Sequence, residues 1–234
     1  HPRVAAQSTQ AYRSLDDGQR RAFDRLYDDF FYHRHNAFWR DEAMKKLPAV
    51  VGSTRMLACA EDLGMVPASV KGVLEQLEIL SLEIQRMPKE PYVQFGDPAR
   101  NPYLSVATIA THDMSPLRLW WAQQRDAAQA YWNNVMGRSG EAPAELDAAD
   151  CRWVVERHLQ SPSMLCLLAW QDWLAMDENL RNPHPESEQI NEPANPHHFW
   201  RYRMHLTLEQ LEGATAFNGA VRALIAQNGR AGGK

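Results

Sequence analysis

The sequence predicts an α/β fold of about four strand–helix units with extra helices, which amounts to half of a (β/α)8 barrel. Short apolar or β-branched runs, each suited to a buried strand, alternate with longer segments of helical periodicity. Acidic or polar residues follow several of these runs, and barrel enzymes place their catalytic groups at such strand ends. A complete barrel has eight units and typically about 250 residues or more, so four units make only half of one.

The individual elements follow from spacing and from start signals. Asp16 or Asp17 can cap the first helix, and Pro48 should end the second helix and open a short one. Ser115 can cap the helix after it, with Pro116 at the first helical position. The predicted strands are residues 56–60, 79–84, 103–109 and 163–169. The predicted helices are residues 19–31, 36–47, 69–77, 116–133, 148–159 and 206–226.

Composition excludes several classes of protein. The net charge is −4 with acids and bases interspersed, which argues against nucleic-acid binding, since that needs clustered basic residues. Cys59, Cys151 and Cys166 are odd in number and have no framework spacing, so free thiols in a reducing compartment are expected. No apolar run approaches the ~18 residues of a membrane span, and we expect a cytoplasmic protein without membrane contact. The chain opens with His1 rather than Met, which suggests a piece of a longer protein.

Glu61 directly follows the predicted strand 56–60 and is a candidate acid/base catalyst. A carboxyl group that projects into a barrel mouth and is partly buried has a raised pKa, which suits a proton donor. Its spacing alone favours the alternative, a charged strand end or a cap for the following helix.

His112 and Asp113 follow the predicted strand 103–109. An imidazole can donate hydrogen bonds to sugar hydroxyl groups, while a carboxylate can support a positively charged transition state. The alternative is that Asp113 only caps the helix that begins near Ser115.

Several segments together resemble the second half of the 4-α-glucanotransferases, a family also called amylomaltases or disproportionating enzymes. The resemblance covers nearly the whole chain and is strongest to the branch of plant cytosolic and Bacteroides-like enzymes. The matching segments are Phe38-Trp39-Arg40-Asp41-Glu42-Ala43-Met44, Glu61-Asp62-Leu63-Gly64-Met65-Val66-Pro67, residues 82–88, Thr111-His112-Asp113, Met176-Asp177-Glu178-Asn179, Ile190-Asn191 and Trp200-Arg201-Tyr202-Arg203.

The resemblance implies retaining transfer of α-1,4-glucosyl or glucan units from maltose or maltodextrin to a glucan or glucose acceptor. Such transfer needs two carboxyl groups about 5–5.5 Å apart, one as nucleophile and one as acid/base. The resemblance makes Glu61 the acid/base, Asp113 the group that stabilises the transition state and His112 a ligand of the reacting sugar. No organic cofactor is required, because protonation and covalent capture suffice.

The family's nucleophile is an Asp in an Arg-x-Asp segment on an earlier strand, and no such strand end precedes Glu61 here. The resemblance therefore implies one partial catalytic barrel domain, residues 1–234, which alone is inactive. It divides into a helical segment 1–50, strand–helix units 51–181, and a loop with a C-terminal helix 182–234. The missing N-terminal half of the same enzyme is then the expected partner.

The remaining candidates bind substrate or hold structure. Asp62 adjoins the acid/base, Asn191 matches a family loop near the donor sugar, and Asp172 could hold the barrel mouth together through hydrogen bonds. Residues expected to line the acceptor side are Glu83, Gln85 and Arg86. No metal site is expected, because the histidines share no ligand face. The rival interpretation is a noncatalytic carbohydrate-binding or assembly fragment, since a half barrel leaves strand edges through which copies could pair.

Overall fold

The computed structural model describes residues 5–64, 66–90 and 92–232. His1, the motif residue Met65 and Pro91 lie outside the described residues. The chain divides into two compact units, residues 1–81 and 82–234, and each is described by itself. The division predicted at residues 50/51 and 181/182 stays a prediction.

Unit 1 is helical over most of its described length. The first predicted helix is confirmed, and Asp16 caps it: its carboxylate accepts from the Gln19 backbone N–H while the Gln19 side chain accepts from the Asp16 backbone N–H. A π-helical stretch, Asp29–Arg34, joins this helix to the next. The helices are α1 (Gln10–Arg13), α2 (Asp17–Asp28), α3 (His35–Gly52) and α4 (Ser69–Gln76).

The predicted break at Pro48 is wrong. Pro48 lies inside α3, which continues to Gly52. A proline within a helix removes one backbone hydrogen bond and crowds the preceding turn, but the remaining bonds of a long helix can carry it across that point. The local penalty at Pro48 was therefore insufficient to end the helix.

The predicted strand 56–60 is reduced to one parallel bridge in unit 1, between Cys59 and Leu80. The Leu80 N–H donates to the Ala58 carbonyl at 2.9 Å, and the Ala60 N–H donates to the Leu80 carbonyl at 2.8 Å. Met56 and Leu57 are exposed, so the expectation of a buried strand there is wrong. Apolar residue types alone do not produce a strand, because each strand needs a partner along its length.

The described sheet has three strands in the order β1-β2-β3, where β1 is Ser81–Ile84, β2 is Ser105–Thr108 and β3 is Leu165–Cys166. From Leu82 onward β1 belongs to unit 2. β2 and β3 are parallel, with Val106 opposite Leu165 and Ala107 opposite Cys166. All four residues of β2 are buried, and the two at its centre, Val106 and Ala107, are apolar. An α/β fold with a parallel sheet is thereby confirmed.

Three predicted strands are shorter than expected. The run 79–84 yields Ser81–Ile84, the run 103–109 yields Ser105–Thr108, and the run 163–169 yields Leu165–Cys166. Hydrogen bonds continue on both sides of β3, from the Met164 N–H to the Tyr103 carbonyl and from the Leu167 N–H to the Ala107 carbonyl. Hydrogen bonding between these two segments thus extends beyond the regular strands, although regular strand geometry covers less of each segment than predicted.

Unit 2 contains six α-helices in its described part. The prediction for α7 is confirmed at both ends, and the Asp147 carboxylate caps it by accepting from the Asp150 N–H at 2.7 Å. The helices are α5 (Leu117–Gln123), α6 (Arg125–Asn134), α7 (Ala148–Leu159), α8 (Trp170–Leu174), α9 (Leu208–Gly213) and α10 (Thr215–Gln227).

Two predicted helices are each divided in two. The segment 116–133 breaks at Gln124, where φ is −111° and ψ is 60°, and the segment 206–226 breaks at Ala214, where φ is −76° and ψ is 56°. A ψ near +60° turns the carbonyl away from the helix axis, so the hydrogen-bond ladder restarts at the next residue. Neither residue type announces such a break.

The main core of unit 2 lies beside the sheet, around Trp121 and Tyr131, which are 0% and 1% exposed. Residues of α5, α6, α7 and α10 and of the loops after β2 and α6 fill the rest of this core. A smaller cluster joins Leu174 to Leu211 and Phe217 of the C-terminal helices. In the described parts of the chain, no helix has the length and hydropathy of a membrane span.

Candidate active site

The loop that leaves the carboxyl end of β2 carries His112 and Asp113, and it meets the loop around Asn191. The Asn191 side-chain amide donates to Asp113 Oδ1 over 2.6 Å, and His112 Nε2 lies 3.5 Å from the same oxygen. The His112 and Asp113 side chains are 45% and 42% exposed. The structure therefore brings together three of the residues predicted from the sequence, two of which are 78 positions apart.

Trp200 extends this cluster, and sequence analysis did not select it as a site residue. Its indole lies against the His112 imidazole with the ring centroids 5.0 Å apart and the planes inclined by 45°. The indole is 62% exposed, so an aromatic surface is open to solvent beside a carboxylate. The segment Trp200-Arg201-Tyr202-Arg203 pointed to this position, but nothing in it indicated contact with His112.

We call His112, Asp113, Asn191 and Trp200 the aspartate cluster. It combines a carboxylate, an amide, an imidazole and an exposed indole. Hydroxyl groups of a ligand could bond to the first three, while an apolar ring face could stack on the fourth. An accessible carboxylate held by an amide could also stabilise a developing positive charge.

Glu83 lies within β1, and Gln85 directly follows that strand. Gln85 is buried: its amide N–H donates to the Gly96 carbonyl at 3.1 Å, and its carbonyl oxygen accepts from the Tyr131 hydroxyl at 2.6 Å. Glu83 pairs with Lys89 at 2.8 Å. These contacts serve the fold, and the substrate-binding roles of both residues stay predictions.

Arg86 lies at the end of the same segment. Its guanidinium donates to the backbone carbonyls of Ile109 and Ser115 and lies 4.8 Å over the Trp120 ring. Its predicted contact with an acceptor sugar stays a prediction.

Glu61 and Asp62 belong to unit 1 and are therefore described apart from the aspartate cluster. Glu61 is exposed and follows the Cys59–Leu80 bridge by two residues, while Asp62 is half-buried. The acid/base role of Glu61 and the substrate contact of Asp62 stay predictions.

Asp172 anchors the helix that follows the His112–Asp113 loop. Leu117 is the first residue of α5, and its backbone N–H donates to Asp172 Oδ1 at 3.1 Å. The predicted Ser115 cap is wrong, because the Ser115 hydroxyl donates to the Gln123 side chain instead. Asp172 is 1% exposed, and this burial raises the pKa of its carboxyl group. Asp172 thus caps α5 from a distant position in the chain, while its predicted role in holding the barrel mouth together stays a prediction.

The histidines make individual contacts. His33 lies 3.0 Å from Asp28, His35 packs against Phe30, and His198 lies 2.9 Å from the Ile190 carbonyl. Within the described residues, no three His, Cys, Asp or Glu side chains are grouped so that they could hold a metal ion.

Glu188, which is 2% exposed, should make stability depend on pH. Burial raises the pKa of its carboxyl group from 4.5 to about 7, while the positive charge of Arg118 acts in the opposite direction. Between these values the folded state binds more protons than the unfolded state, so this group lowers the free energy of unfolding as pH rises from 4.5 to 7. Glu188→Gln should remove that loss. Relative to wild type, the free energy of unfolding of the variant should be higher at pH 8 than at pH 5 by an amount on the order of 1–3 kcal/mol.

Urea unfolding of both proteins at pH 5 and pH 8 checks this expectation. Burial lowers the pKa of His158 to about 4, so His158 changes stability with pH in the opposite direction. Because both proteins contain His158, its contribution cancels when wild type and Glu188→Gln are compared at each pH. Glu186→Gln is the matched control, because Glu186 is exposed and lies with Glu188 in one short 3-10 helix, Pro185–Glu188. Parallel pH profiles for wild type and Glu188→Gln would contradict the expectation.

A sequence profile of the Glyco_hydro_77 family, described as 4-alpha-glucanotransferase, matches residues 8–208. The chain belongs to the 4-alpha-glucanotransferase family. The resemblance found in the sequence segments is therefore confirmed. The aspartate cluster lies within the matched range.

Curated relatives agree with this membership. The chain is 35% identical over 230 residues to 4-alpha-glucanotransferase DPE2 of Oryza sativa subsp. japonica, covering 98% of this chain and 24% of that protein. It is 27% identical over 191 residues to the 4-alpha-glucanotransferase of Chlamydia muridarum, covering 79% of this chain and 35% of that protein. The chain thus spans about a quarter to a third of the length of these relatives.

A solved structure supports the fold. The amylomaltase from Streptococcus agalactiae in complex with acarbose superposes with a TM-score of 0.51 at 19% identity, covering 74% of this chain and 32% of that one. At this identity the likeness concerns the fold alone, an α/β arrangement with a parallel sheet.

Proposed function

We propose that this chain is the C-terminal half of a (β/α)8 catalytic domain that transfers α-1,4-glucosyl or glucan units with retention of configuration. The donor is maltose or a maltodextrin, and the acceptor is glucose or a glycogen-like glucan. The aspartate cluster at the carboxyl end of β2 is the observation that carries this proposal, because barrel enzymes place their chemistry at that end. Family membership supports the same reaction.

Each residue has a distinct role in the proposed reaction. Glu61 protonates the departing glycosidic oxygen and later removes the proton from the 4-hydroxyl group of the acceptor. Asp113 stabilises the positively charged sugar ring, and the Asn191 amide holds its carboxylate in place. His112 donates to a sugar hydroxyl group, and the Trp200 indole supports a sugar face.

The carboxylate that captures the glucosyl unit is proposed to come from polypeptide outside these 234 residues, on the N-terminal half of the barrel. β3 is an edge strand of the described sheet. Leu167 and Trp170, which follow it in the chain, are 60% and 50% exposed. A strand at the edge of a sheet, with exposed apolar side chains nearby, suits pairing with that half. The complete enzyme is proposed to act in the cytoplasm.

The test compares the 234-residue chain with a polypeptide in which the in-frame coding sequence immediately upstream is joined to it. We expect the joined polypeptide to convert maltotriose into glucose and longer maltodextrins, and the chain alone to form no product. The upstream sequence should contain an Arg-x-Asp segment at a strand end. If the joined polypeptide is inactive while the chain alone retards maltodextrin in affinity electrophoresis, the carbohydrate-binding alternative is favoured.

A further inference from the structure

Arg86 connects the two ends of the loop that carries His112 and Asp113. Its Nη2 donates to the Ile109 carbonyl at 3.0 Å and to the Ser115 carbonyl at 2.9 Å, and its Nε donates to the Ile109 carbonyl at 3.3 Å. Ile109 immediately follows β2, and Ser115 lies two residues before α5. One guanidinium group therefore spans the loop of residues 110–114.

The guanidinium is itself held on several sides. It lies 4.8 Å over the Trp120 ring, and Arg86 is two residues beyond the end of β1. Asp172, which caps α5, exerts an attractive charge on it. Burial lowers the pKa of Arg86 to about 10, which still leaves it protonated at neutral pH. A guanidinium group is planar and has several N–H donors in a fixed geometry. Held between a strand end and an aromatic ring, it is well suited to keep backbone carbonyls in place by hydrogen bonding.

The contacts within the loop are local and weaker constraints. The Met114 N–H donates to the Thr111 carbonyl at 3.1 Å, and the Thr108 hydroxyl donates to the Ala110 carbonyl at 3.0 Å. These bonds shape the turn but do not fix it relative to β1. The bonds from Arg86 do, because they tie the turn to a residue at least 23 positions away.

We infer that Arg86 is a positioning residue, which sets the location of Asp113 and His112 by holding both ends of the 110–114 loop. It acts through that loop in place of the direct sugar contact expected from sequence. The inference rests on the proposed function of the aspartate cluster. A displacement of about 1 Å in a reacting group can lower a rate about a hundredfold, so a clamp on this loop bears directly on turnover.

The test uses Arg86→Met and Arg86→Lys in the joined polypeptide. Each variant is assayed with maltotriose at a temperature below the midpoint of its own thermal unfolding. Methionine keeps the stem but removes every donor, and we expect kcat to fall about tenfold to a hundredfold while KM changes less than about threefold. Lysine keeps the charge but lacks the planar fork, so it should recover only part of kcat. Arg157→Met is the matched control, since Arg157 also covers a tryptophan and pairs with an aspartate, but its partners are Trp153 and Asp97.

Hydrogen exchange measured by mass spectrometry on the same proteins tests the clamp without relying on activity. In Arg86→Met the peptide covering residues 109–116 should exchange faster, while Arg157→Met should leave it unchanged. A raised KM with unchanged kcat would overturn the inference in favour of direct substrate contact, and unchanged exchange of this peptide would overturn it as well. If the unsubstituted joined polypeptide forms no product, the proposed function fails, and the exchange data still decide whether Arg86 holds the loop.

Discussion

Replacing Glu61 with glutamine is expected to lower transfer from maltotriose by about 10²–10⁴-fold in the joined polypeptide, the range that general acid–base catalysis supplies. The amide has nearly the same shape as the carboxylic acid but cannot protonate the departing sugar. With maltosyl fluoride as donor, the leaving fluoride needs no proton. The first step of Glu61→Gln should then recover, which can be measured as fluoride release.

Asp113→Asn provides the contrast. Its side chain can still accept the hydrogen bond from Asn191, so the loop contact is retained while the negative charge is lost. The missing charge is needed for either donor, and maltosyl fluoride should not rescue this variant. Glu141→Gln, at an exposed position, controls for the loss of one carboxylate. If fluoride release is restored in Asp113→Asn and not in Glu61→Gln, the proposed roles are exchanged.

Trp121→Ala is expected to cause the largest loss of stability, about 3–5 kcal/mol of unfolding free energy. The indole is 0% exposed and packs against Tyr131 and Trp132 with centroid distances of 6.3 and 6.2 Å. Its N–H donates to the Pro143 carbonyl at 2.8 Å, although that oxygen keeps a second donor in Arg125. Most of the loss therefore comes from the cavity rather than from an unpaired carbonyl.

Urea unfolding followed by circular dichroism measures this effect. Trp170→Ala is the matched control, because Trp170 is 50% exposed and its removal should cost no more than about 1 kcal/mol. Similar losses for the two variants would show that the region around Trp121 collapses to fill the space, contrary to the expectation.

The sequence predicted helix bounds and helix caps correctly where the contacts that determine them are between residues close together in the chain. Helix α7 has the predicted bounds, and Asp16 caps α2 through atoms three residues away. The cap of α5 was missed for the opposite reason. The carboxylate that caps α5 comes from Asp172, 55 positions along the chain, and no nearby residue reports its presence.

The candidate site shows the same division. The residue types and motifs selected Glu61, His112, Asp113 and Asn191 as carriers of chemistry. Only the packing of the loops showed that Asn191 bonds to Asp113 and that Trp200 lies on His112. A motif records which side chains a family uses, but it does not record distances between loops.

The sequence by itself determined the family, the α/β class and the positions of most helices, because these depend on residue identity, periodicity and short-range hydrogen bonds. The tertiary structure alone decided how long the strands are, how α5 begins, and that Arg86 spans the loop of Asp113. These features depend on backbone carbonyls and N–H groups, which every residue carries. Which of them meet is settled only when distant segments pack.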